Sequence, residues 1–255
     1  MYSPYDWNEA IRHRGEYIEE RMAEGSPVVG LSCQEGVLLL TVRGTQRKVF
    51  EIYDRLAFSA VGLQADIEAV RLSAIDFAHQ EGFARSPEDV TIGRVVAAIS
   101  PALKKAFGDQ FSAPLVLRAL FAEVGRRPET DSLYILNYDG EFRATRSFAA
   151  VAGTSYAEER MAERLAPLWG DGGGAAAPSV ENALHAGLRA WAVGKLSPRP
   201  AEGDQPPEYQ PEAFLRTALE TSVVEAALLE RQTGRQSRFR ELSEEEVQRV
   251  VSQLQ

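Results

Sequence analysis

Gly44-Thr-Gln-Arg-Lys48-Val-Phe-Glu-Ile-Tyr53-Asp-Arg-Leu-Ala-Phe58-Ser-Ala-Val-Gly62-Leu63 is the stretch from which the rest of the chain can be laid out. It opens in a polar turn, residues 43–47. A β-prone run follows over 48–53 and breaks at the charged pair Asp54-Arg55. A second apolar run, 56–61, stops at Gly62, and a periodic helix begins near Leu63. The order is therefore strand, turn, strand, glycine, helix. The helix is the strongest pattern in the chain: Leu63, Ile67, Val70, Ala74, Phe77 and Ala78 share one face and the pattern ends at Gly82. Residues 92–107 give a second helix through Ile92, Val95, Val96, Ile99, Leu103 and Phe107, with Pro101 predicting a kink or a boundary.

Before the stretch, residues 28–32 and 37–42 are apolar runs joined by Cys33-Gln-Glu-Gly36, a hairpin with Gly36 in the turn. Their near-continuous apolar character predicts strands buried on both faces. Further back, Asp6 as N-cap with Glu9 three residues on predicts a helix over 7–25. Trp7, Ala10, Ile11, Tyr17, Ile18 and Met22 form its apolar side; Gly25 and Pro27 end it. That helix reads either as an ordinary surface helix or as one used against a partner.

After the second helix, residues 114–124 and 133–138 read as strands. Tyr138-Asp139-Gly140 gives a tight turn, and 142–152 returns as one strand. Helices follow over 156–169 and 179–195, joined by a Gly/Ala-rich linker at 170–178. Five prolines mark 197–211 as a surface loop. Residues 213–232 have the composition of a helix, and the capping box Ser243-Glu-Glu-Glu246 starts a terminal helix with Val247, Val250, Val251 and Leu254 on one side. Strand groups separated by helix pairs imply two sheets with helices outside: an α+β, four-layer αββα sandwich.

The chain has 255 residues, 44% hydrophobic and 25% charged, with a formal net charge of -9. That balance argues against non-specific nucleic-acid binding, which needs a basic face. Cys33 is the sole cysteine, so no internal disulfide forms and nothing points to an oxidising compartment. No apolar run reaches the roughly 20 residues of a membrane helix. The leading residues have no basic segment followed by an apolar one, so no signal peptide is read there. A cytoplasmic location is expected.

The Lys48-apolar-x-Glu51-apolar-Tyr53-Asp54-Arg55-apolar-x-Phe58-x-Ala60-x-Gly62 run resembles the proteasome α-subunit family, in its actinobacterial form. There it sits between the second strand and the first long helix. The likeness covers residues 1–154 well and 155–255 loosely. It implies one proteasome-like domain over 1–255, with the fold of N-terminal-nucleophile hydrolases over 28–255. It also places a strand near 221–231, around Ser222-Val223-Val224, where composition alone favours helix. Family members of α type form homo-heptameric rings that cap rings of β subunits and dock AAA+ unfoldases.

Chemistry is sparse. His13, His79 and His185 each stand alone, and no Cys/His cluster offers a metal site. Gly170-Asp-Gly-Gly-Gly174 lacks the Lys-Ser/Thr of a phosphate loop, and no Gly-x-Ser-x-Gly elbow is present. No cofactor is expected. The alternative to an α subunit is an autonomous, self-processing peptidase of the same fold. It would need a free N-terminal threonine, an Asp near the end of the second strand and a Lys soon after. Those positions fall at Ser26, Val42 and Lys48, so only the lysine has a counterpart. In α subunits the matching lysine lines a pocket between neighbours and pairs with an activator's C-terminal carboxylate, a task a lysine suits. The resemblance thus implies a docking pocket at Lys48, Gly62 and Leu63. It implies a pore gate at Met1, Tyr2, Ser3, Pro4, Tyr5 and Asp6. The Tyr-Asp-Arg gate signature of archaeal and eukaryotic relatives is replaced here by Tyr5-Asp6-Trp7.

Overall fold

The computed structural model describes residues 4–109, 111–169, 176–197 and 210–254, with the backbone alone for 4–7. The organising stretch forms the hairpin β3 (Val49–Tyr53) and β4 (Leu56–Gly62), then α2 (Gln64–Ala84). Ahead of it lie α1 (Pro4–Met22), β1 (Val28–Ser32) and β2 (Gly36–Arg43). Beyond it come α3 (Ile92–Gly108), β5 (Leu117–Glu123), β6 (Ser132–Leu136), β7 (Phe142–Thr145) and β8 (Phe148–Val151). The chain continues through α4 (Ser155–Leu165), α5 (Val180–Lys195), α6 (Pro211–Thr221), β9 (Val223–Glu230), β10 (Phe239–Glu241) and α7 (Glu244–Leu254).

The strands make two five-stranded sheets, ordered β10-β9-β2-β1-β8 and β3-β4-β5-β6-β7, each antiparallel throughout. Side chains alternate faces along a strand, so each strand serves two cores. In β2, Val37 and Leu39 point between the sheets, whereas Leu38, Leu40 and Val42 point outward beneath α4 and α5. In β4, Ala57 and Val61 face the other sheet, whereas Leu56, Phe58 and Ala60 meet α2 and α3. Phe58 and Phe121, opposite each other in register, pack with their rings tilted by 59° and centroids 5.0 Å apart. Three apolar layers thus separate four structural ones, as the sandwich reading expects. This is why the strands lack polar alternation.

Some expectations need correction. The helix placed at 7–25 begins at Pro4 and ends at Met22. Proline suits a first helical turn, so Asp6 lies inside the helix and not at its cap. Gly25 still closes it, donating its N–H to the Met22 carbonyl at 2.7 Å. Pro101 is inside α3, which runs through it without a boundary. The strand read over 142–152 is two strands in different sheets: β7 pairs with β6, and β8 pairs with β1. The chain bends at Arg146-Ser147, where the Ser32 N–H reaches the Ser147 carbonyl at 2.8 Å. The strand that the resemblance implied near 221–231 is present as β9 from Val223, and only the part of 213–232 up to Thr221 is helix. The short β10 was not anticipated. Most of the 170–178 linker and of the 197–211 loop lies outside the described residues.

Two buried ionic groups tie the layers. Asp131, fully buried, takes both guanidinium nitrogens of Arg231 at 2.7 and 2.8 Å. It also accepts from Ser32 Oγ at 2.6 Å and the Gly125 N–H at 2.9 Å. Arg231 spends its remaining donors on carbonyls of Cys33, Gln34 and Gly125. The group therefore joins the β1–β2 hairpin, the β5–β6 connection and the end of β9. At the opposite side of β5, Arg118 is buried among Glu19 of α1, Glu158 of α4 and Ser155. That arrangement fixes α1, whose Ile18 and Met22 enter the inter-sheet core.

Candidate functional site

The loop between α1 and β1, residues 23–27, brings the candidate residues together. Gly25 is required there: a Cβ on it would stand 2.5 Å from Val61 Cγ1 and 2.9 Å from the Met22 carbonyl oxygen. Ser26 follows, and its Oγ is fully engaged. It donates to the Val42 carbonyl at 2.5 Å and accepts from the Trp191 indole N–H at 2.8 Å. Thr41 Oγ1 lies 3.2 Å away and donates to the Pro27 carbonyl at 2.7 Å.

Lys48 reaches this loop from the residue before β3, and its Nζ donates to the Ser26 carbonyl at 3.2 Å. The backbone around it is held by Glu225 of β9. The Glu225 carboxylate accepts the N–H groups of Lys48 and Val49 at 2.9 and 3.2 Å. It also meets Arg43 at 2.8 Å and Arg47 at 3.5 Å. With its carboxylate engaged in this way, Glu225 makes no direct ion pair with the Lys48 ammonium; among the described residues no carboxylate comes within ion-pair distance of that ammonium. Burial, with Lys195 as a nearby like charge, lowers the Lys48 pKa to about 8, Glu225 opposing the shift. The lysine is still mostly protonated at neutral pH.

Val49 pairs with Ser59 across the hairpin, so Lys48 lies at the same end of the strand pair as Gly62 and Leu63. Gly62 has φ +150°, and a Cβ there would sit 2.1 Å from the Val116 carbonyl oxygen. That carbonyl accepts the Leu63 N–H at 2.9 Å, which sets the start of α2. Leu63 is 38% exposed beside it. Gly62→Ala is expected to destabilise the fold by at least about 1–3 kcal/mol, the usual penalty of such a backbone conformation for a side-chain-bearing residue. Thermal unfolding measures it; a melting curve identical to wild type would contradict the assignment of this turn.

The peptidase alternative meets specific obstacles here. The Ser26 hydroxyl is engaged with the Val42 carbonyl and the Trp191 indole, and the position of the required aspartate is the apolar Val42. Of the gate residues, Pro4, Tyr5 and Asp6 are in the first turns of α1, whereas Met1, Tyr2 and Ser3 lie outside the described residues. A cleft of about 480 Å³ lined by Asp54, Arg55, Glu123, Arg126, Arg231 and Arg238 lies at the far end of the hairpin. Of its lining charges, Arg55 pairs with Glu123 and Arg231 with the buried Asp131 behind it.

Two site residues were not singled out from sequence, Glu225 and Lys195. Glu225 left a signal, being a lone acid in the apolar run Val223-Val-Glu-Ala-Ala-Leu-Leu229. Lys195 left none, since a lysine in the last turn of a helix is common.

A model of the proteasome subunit family matches residues 22–167. The proteasome subunit alpha of Actinosynnema mirum is 34% identical over 235 residues, spanning 91% of this chain and 80% of its own length. That of Kineococcus radiotolerans is 30% identical over 235 residues, spanning 91% and 90%. That of Thermobifida fusca is 31% identical over 147 residues, 57% and 59%. With the two-sheet sandwich and a lysine set at the Gly62 end of the β3–β4 hairpin, these matches place the chain in the proteasome subunit family, among its α-type members.

Proposed function

We propose that this chain is a non-catalytic α-ring subunit of a bacterial 20S proteasome, acting in the cytoplasm. Its fold serves as one proteasome-like domain in a homo-heptameric ring that caps rings of threonine-bearing β subunits. Lys48, Gly62 and Leu63 supply one wall of a pocket that receives the C-terminal carboxylate of an AAA+ unfoldase, and residues 1–6 form the gate over the entry pore. The observation that carries this reading is Lys48 itself. Its backbone is clamped by Glu225, while its half-buried ammonium meets the Ser26 carbonyl and has no acidic partner within ion-pair distance among the described residues. A cation kept in that state suits an incoming anion, and with Val42 beside Ser26 it lacks the acid that nucleophile chemistry needs. No described helix is long and apolar enough to cross a membrane, which accords with a particle of this kind.

Deleting residues 1–3 tests the gate while leaving α1 intact. Assembled particles with the deletion are expected to cleave long peptides several-fold faster without activator, and to cleave tripeptide reporters at an unchanged rate. Equal rates on long peptides would remove these residues from the gate.

A further inference from the structure

Lys195, the last residue of α5, donates through Nζ to the Glu24 carbonyl at 2.5 Å. Lys48 donates to the Ser26 carbonyl at 3.2 Å. The two acceptors are alternate residues of one loop, so their Cα atoms are at most about 7 Å apart. Two ammonium groups from different layers of the sandwich therefore converge on residues 24–26. Each has three donors and, among the described residues, uses one on a neutral carbonyl. Among the described residues neither has a carboxylate within ion-pair distance.

We propose that Lys195 and Lys48 form a two-lysine clamp that grips a single peptide C-terminal carboxylate at the α1–β1 loop. The inference rests on the docking pocket proposed above and adds to it a second cation from α5. The electrostatics support it. Burial lowers the pKa of both lysines, and Lys195 is the nearby like charge acting on Lys48. Among the described residues, Glu225 and Glu24 act electrostatically on the pair, and each does so without a direct ion pair to it. An arriving carboxylate relieves the repulsion and takes charge-assisted hydrogen bonds of about 2.8 Å from both sides. A lysine serving only the C-terminal dipole of α5 would not need to point at Glu24.

The test uses the assembled particle and a fluorescein-labelled peptide copying the last ten residues of the host's ring ATPase, made as free acid and as amide. Native mass first establishes that Lys195→Met, Lys195→Arg and Lys48→Met particles assemble; Lys195→Gln replaces the methionine variant if it does not. The free acid is expected to bind and the amide to bind at least about tenfold more weakly. Each methionine variant is expected to lose about tenfold in affinity for the acid, the effect of one charged hydrogen bond. Lys195→Arg should keep most of the affinity. In Lys195→Met the pH above which binding falls should move upward, because the repelling charge on Lys48 is gone. Wild-type affinity and an unmoved pH profile in Lys195→Met, with binding lost in Lys48→Met, would overturn the clamp and leave the pocket standing. Indifference of wild type to acid or amide would overturn the pocket reading and the clamp with it.

Discussion

Asp131→Ala is expected to lower the stability of the chain by about 3–5 kcal/mol, the range for breaking a buried pair from one side. The substitution leaves the Arg231 guanidinium, 6% exposed, without its counterion. It also strands the Ser32 hydroxyl and the Gly125 N–H that Asp131 accepts. Domains of this kind have only about 5–15 kcal/mol in hand. The variant is therefore expected to melt roughly 6–20 °C below wild type, at about 2–4 °C per kcal/mol for a chain of this size. Its yield of assembled particle should fall accordingly. Combining Asp131→Leu with Arg231→Met removes both charges and should recover part of the loss. Calorimetry of the three proteins decides it: a loss under about 1 kcal/mol in Asp131→Ala would mean that the group is not what joins the hairpin, the β5–β6 connection and β9.

Lys48→Ala is expected to abolish most activator-stimulated protein degradation while the particle stays assembled and cleaves short peptides at its basal rate. Among the described residues the removed group holds a single hydrogen bond, to the Ser26 carbonyl, so the fold has little to lose. Wild type should show two opposed pH trends. Activator stimulation falls as pH rises through about 8, where Lys48 loses its proton. Stability moves the other way. The folded pKa lies below the unfolded value, so the unfolded state binds more protons between about 8 and 10.5, and this lysine's contribution to stability rises with pH across that window. Stimulation that survives Lys48→Ala, or that is flat from neutral pH to pH 9, would remove Lys48 from the pocket.

The elements most legible in the sequence were those whose two faces agree. The hairpin at 49–62 and helices α2 and α3 carry apolar residues at a period that matches their burial. The misread elements are those set by contacts distant in sequence. The run 142–152 looks like one strand, and only its pairing to β6 at one end and β1 at the other splits it. β10 is three residues long and exists because Phe239 to Glu241 pair with β9. In 213–232 both signals were present, helix composition and a Val-Val strand core, and each holds for its own half. For the site, Lys48 was legible through the motif around it. Glu225 shows in the sequence only as a lone acid in an apolar run and Lys195 not at all, because their roles come from meeting residues 177 and 171 positions away.

The claim that this chain is a ring-forming α subunit is tested most directly by the native mass of the tagged protein recovered from its own host. The account predicts a particle of several hundred kilodaltons that contains a second subunit beginning with threonine. In it this chain keeps the residues ahead of Ser26. A small species without that partner, or one cleaved before Ser26, would contradict it.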